Sequence, residues 1–210
     1  MPLLDQSQLR DRIERLAAIE RGSASSGEAR AAELIAAELR EAGAEVTVEH
    51  ERVHGTYWWP VGLLTGTGAL AGVARGRWKA VLAGAFATAA VVDDISGGRQ
   101  WFRRRFLPQG MTTNVVARMG DPDAEHTVVV HAHHDAAHTG LVFDGRPPRA
   151  LLKRFPALAE NAKTTPPTMW GAVAGPALVA IGALLGSRRL RRTGVFLCAA
   201  NVAAMTDIGV

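Results

Sequence analysis

Eighteen consecutive residues without a charge, Tyr57 to Ala74 (YWWPVGLLTGTGALAGVA), constrain this chain more than any other feature. They are followed by a basic turn, RGRWK, and a second uncharged run from Ala80 to Val92. The plan recurs: Met169 to Gly186 is apolar, SRRLRR follows, and Gly194 to Met205 is apolar again. Apolar run, basic turn and shorter apolar run make a helical hairpin. A bilayer-spanning helix needs about 20 apolar residues, with a range near 17–25. The first member of each hairpin reaches that length; the second is shorter. Small residues would let paired helices approach closely, and Tyr57, Trp58, Trp59, Trp78 and Trp170 stand at run ends, where an aromatic belt belongs. The expectation is two transmembrane hairpins, 57–92 and 169–205, in a multi-pass protein with the lipid bilayer as partner. The competing reading is a soluble protein with Ala-rich buried helices.

Charge supports the first reading. Residues 1–56 hold seven Arg against eleven Asp and Glu, a net of −4, so with a total of +4 the remainder carries +8. Those cations flank the apolar runs, as Arg75, Arg77 and Lys79 and as Arg188, Arg189, Arg191 and Arg192. No aromatic–basic interleaving or nucleic-acid motif accompanies them, so nucleic acid is not expected as a partner. Basic turns favour the cytoplasmic side and leave the polar segments extracytoplasmic, although Arg99, Arg103 to Arg105, Arg149, Lys153 and Arg154 pull the other way. Cys198 is the single cysteine, which rules out an internal disulfide and a thiolate zinc cage; its apolar surroundings predict a buried, inert thiol. The first residues show no basic segment followed by an apolar one, so no cleavable signal peptide is read there.

The segments around the hairpins look like pieces of a layered α/β domain. Leu9, Ile13 and Leu16 predict a helix over 5–19. Ser25 and Glu28 form a capping box that opens a second helix, and Gly43 is placed to end it in the left-handed conformation. Val46 and Val48 alternate in a strand. These elements make a first peptidase-like block, 1–56. In the block 93–168, GGRQWFRRRF is an interfacial stretch or a solvated basic loop, TNVVARM (113–119) is a strand, and HTVVVH (126–131) is a buried strand. After His138 an irregular, Pro-rich course is expected up to Trp170. Residues 206–210 look like a truncated end.

The chemistry gathers in VVVHAHHDAAHTG, Val128 to Gly140. Ligands in open α/β sheets bind at the carboxyl ends of strands. Extended backbone puts His131, His133 and Asp135 on one side and turns His134 away. Neutral imidazole is a common zinc ligand, and it usually gives its other N–H to a carboxylate that fixes the ring. The spacing therefore supports His133 as a metal ligand with Asp135 as its orienting partner. Histidines at strand ends are also often no more than satisfied polar groups, and this cluster supplies one or two of the three or four ligands zinc needs. His50, His54 and His126 are expected on the surface.

Taken together, RGSASSGEARAAELIAAELREAGAEV, TTNVVARM and VVVHAHHD, in that order, resemble the co-catalytic zinc peptidases of metallopeptidase family twenty-eight, the aminopeptidase and glutamate carboxypeptidase-like group. The match covers Leu9 to Val53 and Thr112 to Ala136, in two blocks split by the first hairpin. The resemblance implies a mixed central sheet flanked by helices, the α/β/α domain of phosphorylase/hydrolase type. It also implies His133 as the first zinc ligand and Asp135 as the carboxylate that orients it at the catalytic site. His131 stands where the family prefers Gly, and His134 where an aromatic is common. The family's bridging Asp, its Glu-Glu pair with the general base, its further acidic ligand and its last His have no counterpart: after Asp135 the only carboxylates are Asp144, Glu160 and Asp207, none in such a motif. The expected function is a membrane-anchored hydrolase of peptide bonds with two zinc ions and a peptide substrate, here an incomplete and inactive fragment. The alternative is a non-catalytic, membrane-bound structural or interaction protein with a relic peptidase lobe.

Overall fold

A computed structural model describes residues 5–56, 58–138, 140, 143–156 and 169–209. Tyr57, Glu160 and Val210, each used above, lie outside the described residues. The chain divides into two units, 1–55 with 108–138 and 56–107 with 139–210. It combines helices with one small antiparallel sheet, broadly an α/β composition.

The first unit opens with α1 (Gln6–Ala17), capped by a complete box in which Asp5 and Gln8 bond each other's backbone. α2 (Ser26–Glu41) starts at Ser25, whose hydroxyl accepts from the Glu28 N–H. The other half of that expected box does not close on Ser25. The Glu28 carboxylate instead accepts from the Ala24 N–H at 2.6 Å and from the Thr112 hydroxyl at 2.6 Å. A local cap has become a tie between α2 and the sheet. Gly43 (φ +90°) ends α2, with its own N–H on Arg40 and the Ala44 N–H on Leu39, which satisfies two of the last carbonyls.

β1 (Glu45–Val53) pairs antiparallel with β2 (Gly110–Arg118), with Val48 opposite Val115. Ala31, Ala32 and Ala36 of α2 are fully buried, and β2 contributes the buried Thr113. The buried strand expected at 126–131 does not form. His126 to His131 has no ladder partner, and Val128, Val129 and Val130 are 85–88% exposed. β-branched residues favour a strand only where neighbours cover them, and among the described residues nothing does.

The second unit is built on four helices: α3 (Trp58–Val73), α4 (Arg77–Ile95), α7 (Trp170–Leu184) and α8 (Arg188–Gly209). Each packs on its chain neighbour, and the hairpins close a ring through α4 against α7 and α8 against α3. Small residues let the helices approach closely at several crossings. Gly84 leaves room for the Pro176 carbonyl, and a Cβ there would sit 2.9 Å from it. Gly68 and Gly175 receive Cys198, and Gly72 receives Val179 and Val195. Larger side chains such as Leu70, Leu82 and Phe196 point outward.

Among the described residues no helix is long and apolar enough to cross a membrane. This overturns the transmembrane hairpins and the multi-pass, extracytoplasmic placement built on them. The physical reason is length and charge. At 1.5 Å per residue, 16-residue α3 spans about 24 Å and 15-residue α7 about 22 Å, short of a core about 30 Å thick. α4 and α8 are longer but carry Arg77, Lys79, Asp93 and Asp94, or four arginines and Asp207. Trp58, expected in an interfacial belt, lies in the core beside Val61, Leu64 and Met205.

The basic turns have a different role as well. Arg77, at the start of α4, donates to the Leu184 carbonyl at the end of α7. Arg191, in the first turn of α8, donates to the Gly72 and Ala74 carbonyls at the end of α3. Each hairpin thus supplies a guanidinium to the C-terminus of the other's first helix. Unpaired carbonyls and the negative end of the helix dipole both favour a cation there.

The basic stretch at 101–106 is a short helix, α5 (Trp101–Phe106), and not a loop. Asp93 accepts from the Arg99 and Trp101 N–H groups, and Arg103 forks onto buried Asp94. Part of the expected irregular course after His138 is also helical, as α6 (Arg146–Arg154).

Candidate functional site

In the first unit, two segments far apart in sequence are zipped together. The loop leaving α1 runs alongside 134–136: the Ala136 N–H donates to the Arg21 carbonyl at 2.8 Å, and Gly22 and Ala136 form a parallel bridge. The Arg21 side chain completes the join. Its Nε donates to the His134 carbonyl at 2.8 Å and its Nη1 reaches the Leu16 and Ile19 carbonyls. The His-rich segment is therefore held by backbone bonding to the entry of α2, and not by a sheet around it.

This zipper brings Ser23 to Asp135, and the Ser23 hydroxyl donates to Asp135 Oδ2. The other carboxylate oxygen, Oδ1, faces His133 Nδ1 at 3.3 Å. An ionised carboxylate only accepts. In the neutral ring Nδ1 then carries the proton, and Nε2 presents its lone pair on a side chain 85% exposed. The Ser23 hydrogen bond is the main reason Asp135 lies below the usual carboxylate range; burial opposes it, and the contact with His133 adds to the lowering.

His131 meets His133 edge-on, with ring centroids 5.8 Å apart, so the two rings share a side as extended backbone predicts. His134 contributes its carbonyl to Arg21, while its buried Nε2 has no hydrogen-bond partner among the described residues. His138 lies beside Gly22, where an added Cβ would stand 3.4 Å from its Nε2. His50 pairs with Thr113 across the sheet at 3.2 Å.

The motif's two predicted residues, His133 and Asp135, are thus in contact. They are not at the carboxyl end of a buried strand, and among the described residues no further ligand joins them. Among the described residues no group of three or more His, Cys, Asp or Glu is placed to hold a metal ion. The expectation of a metal-binding chain is corrected accordingly: a closed zinc site takes four ligands and a catalytic one three, and one imidazole with one carboxylate does not fit.

Sequence reasoning assigned no role to Ser23 or Arg21. Their signal was present but unspecific: an Arg and several Ser in a short gap between two helices. No family model, no curated protein and no solved structure matches this chain.

Proposed function

We propose that this chain supplies the first imidazole and its orienting carboxylate to a peptide-bond hydrolase of the two-zinc aminopeptidase type, with an α/β/α core, and is inactive by itself. The observation behind this reading is the His133–Asp135 pair, with Nδ1 turned to the carboxylate and Nε2 to solvent. That is the arrangement a histidine needs before it can ligate through Nε2. In such an enzyme the chemistry zinc would supply is polarisation of the scissile carbonyl and acidification of a water. The part of this chain is narrower. Asp135 fixes the ring, and His133 offers a lone pair; the remaining ligands and a general base have to come from elsewhere.

The test is zinc analysis and turnover of aminoacyl-nitroanilides by the product of the complete reading frame, as wild type and as His133→Ala. Two zinc ions per chain and turnover, both lost in His133→Ala, support the proposal. A metal-free product, or turnover indifferent to His133→Ala, overturns it.

A second reading, a non-catalytic interaction protein that keeps a peptidase-like lobe, is favoured by the exposure of Val128, Val129 and Val130. A contiguous apolar segment in solvent marks an interaction surface. A zinc-free full-length product that co-purifies with a partner and loses it on Val129→Lys supports that reading.

A further inference from the structure

We infer that Ser23 is a positioning residue for His133: by occupying one oxygen of Asp135 it leaves the other to the imidazole and so sets the ring's tautomer. The inference rests on the reading of His133 as a cation-directed imidazole only for its biological meaning; the geometry stands by itself.

Asp135 has two oxygens and, in this network, two clients. Ser23 Oγ–H takes Oδ2, and His133 Nδ1 faces Oδ1 at 3.3 Å. With Oδ2 anchored, rotation of the carboxylate about its Cβ–Cγ bond breaks a hydrogen bond, so Oδ1 stays directed at His133. Without Ser23, the side-chain contact left to that carboxylate among the described residues is the His133 imidazole itself, the group it is meant to orient. The imidazole has little else to orient it: it is 85% exposed, and among the described residues its ring contact is with His131. A histidine in water favours the tautomer with the proton on Nε2, so a ring that keeps Nε2 bare needs a lasting acceptor at Nδ1.

Ser23 is itself held from both sides. Behind it, Arg21 and Gly22 are zipped to His134 and Ala136 by the Ala136 N–H, the Arg21 Nε and the parallel bridge. Ahead of it, Ala24 takes a left-handed turn (φ 58°) and passes directly into the Ser25 cap of α2. The hydroxyl therefore arrives at Asp135 on a backbone fixed at the start of a helix. Pre-organisation of this kind is what an orienting residue behind a ligand requires.

The experiment is nitrogen-15 NMR of the imidazole rings in the 210-residue chain, at a pH where the histidines are neutral and without added metal. Wild-type His133 is expected to show the Nδ1–H pattern. Ser23→Ala shifts the ring toward Nε2–H, Asp135→Asn does so too, and Ser23→Thr restores the wild-type pattern by returning the hydroxyl. Amide spectra report whether each variant is folded. Should Ser23→Ala not fold, Ser23→Cys keeps the size with a weaker donor and is expected to give a partial shift. A His133 tautomer unchanged by Ser23→Ala or Ser23→Cys, while Asp135→Asn changes it, overturns the inference. A Ser23-dependent tautomer in a full-length product that takes up no zinc would leave this inference intact and remove the hydrolase reading.

Discussion

Arg103 and Asp94, nine residues apart, form a forked ion pair inside the helical unit, with the shorter contact at 2.7 Å and side chains only 11% and 2% exposed. The pair ties α5 to the last turn of α4, which Asp93 also closes from its other side. Charges this well buried are costly to separate, because removing one takes away the main compensation for the other's desolvation.

Asp94→Ala is therefore expected to destabilise the helical unit by about 3 kcal/mol, near the lower end for a broken buried pair. The double variant Asp94→Ala with Arg103→Met recovers part of that loss, since the buried guanidinium is then removed together with its carboxylate. Urea unfolding followed by tryptophan fluorescence measures both. A cost under about 1 kcal/mol for Asp94→Ala would show that the pair behaves as a surface bridge.

Cys198 is buried, and its sulfur fills the space left by Gly68 and Gly175. Desolvation pushes its thiol up to about 11. At pH 8 the folded chain should react with a disulfide reagent only at the rate of unfolding, and promptly in denaturant. Gly175→Ala, whose Cβ would lie 2.8 Å from that sulfur, should cost about 1–3 kcal/mol by overpacking and speed the thiol reaction.

Ala24 holds a left-handed backbone (φ 58°) between the loop and the α2 cap. That conformation costs an L-residue about 1–2 kcal/mol, while glycine's extra entropy in the unfolded chain costs about 0.5–1. Ala24→Gly should then raise the stability of the first unit by about 0.5 kcal/mol. Gly110→Ala should lower it, because the new Cβ would meet the Ala24 Cβ at 2.9 Å. Thermal melts of the two variants, read against wild type, should move in opposite directions.

Asp5 lies below the usual carboxylate range because it accepts first from the Gln8 N–H and then from Ser7. A depressed carboxylate stabilises the fold above its unfolded pKa, and this is lost as pH falls through the folded value. The first turn of α1 should therefore fray on acidification below the ordinary aspartate range. Asp5→Ala should fray at neutral pH and respond less to acid. Backbone carbon shifts of Gln6 to Leu9 report it directly.

Much of the local architecture could be read from residues near one another in the chain. The Leu9–Ile13–Leu16 stripe acts over about two helical turns, the Ser25 cap and Gly43 within one, and α1 and α2 lie where they point. The pairing of His133 with Asp135 belongs to the same class, since two residues of extended backbone suffice to bring them together. Interactions closed within a few residues need no knowledge of the rest of the fold.

Other outcomes depended on partners that periodicity does not reveal. The valines at 128–130 have the pattern of a buried strand, yet burial requires flanking strands, and among the described residues none is there. The arginines beside the apolar runs look alike whether they meet lipid head groups or the carbonyl ends of other helices; the packing of α4 on α7 and of α8 on α3 gave Arg77 and Arg191 the second role. Ser23 reaches Asp135 across 112 residues. Such contacts are chosen by how the whole chain closes, because a hydrogen bond or an apolar contact is worth something only once its distant partner has been brought within reach.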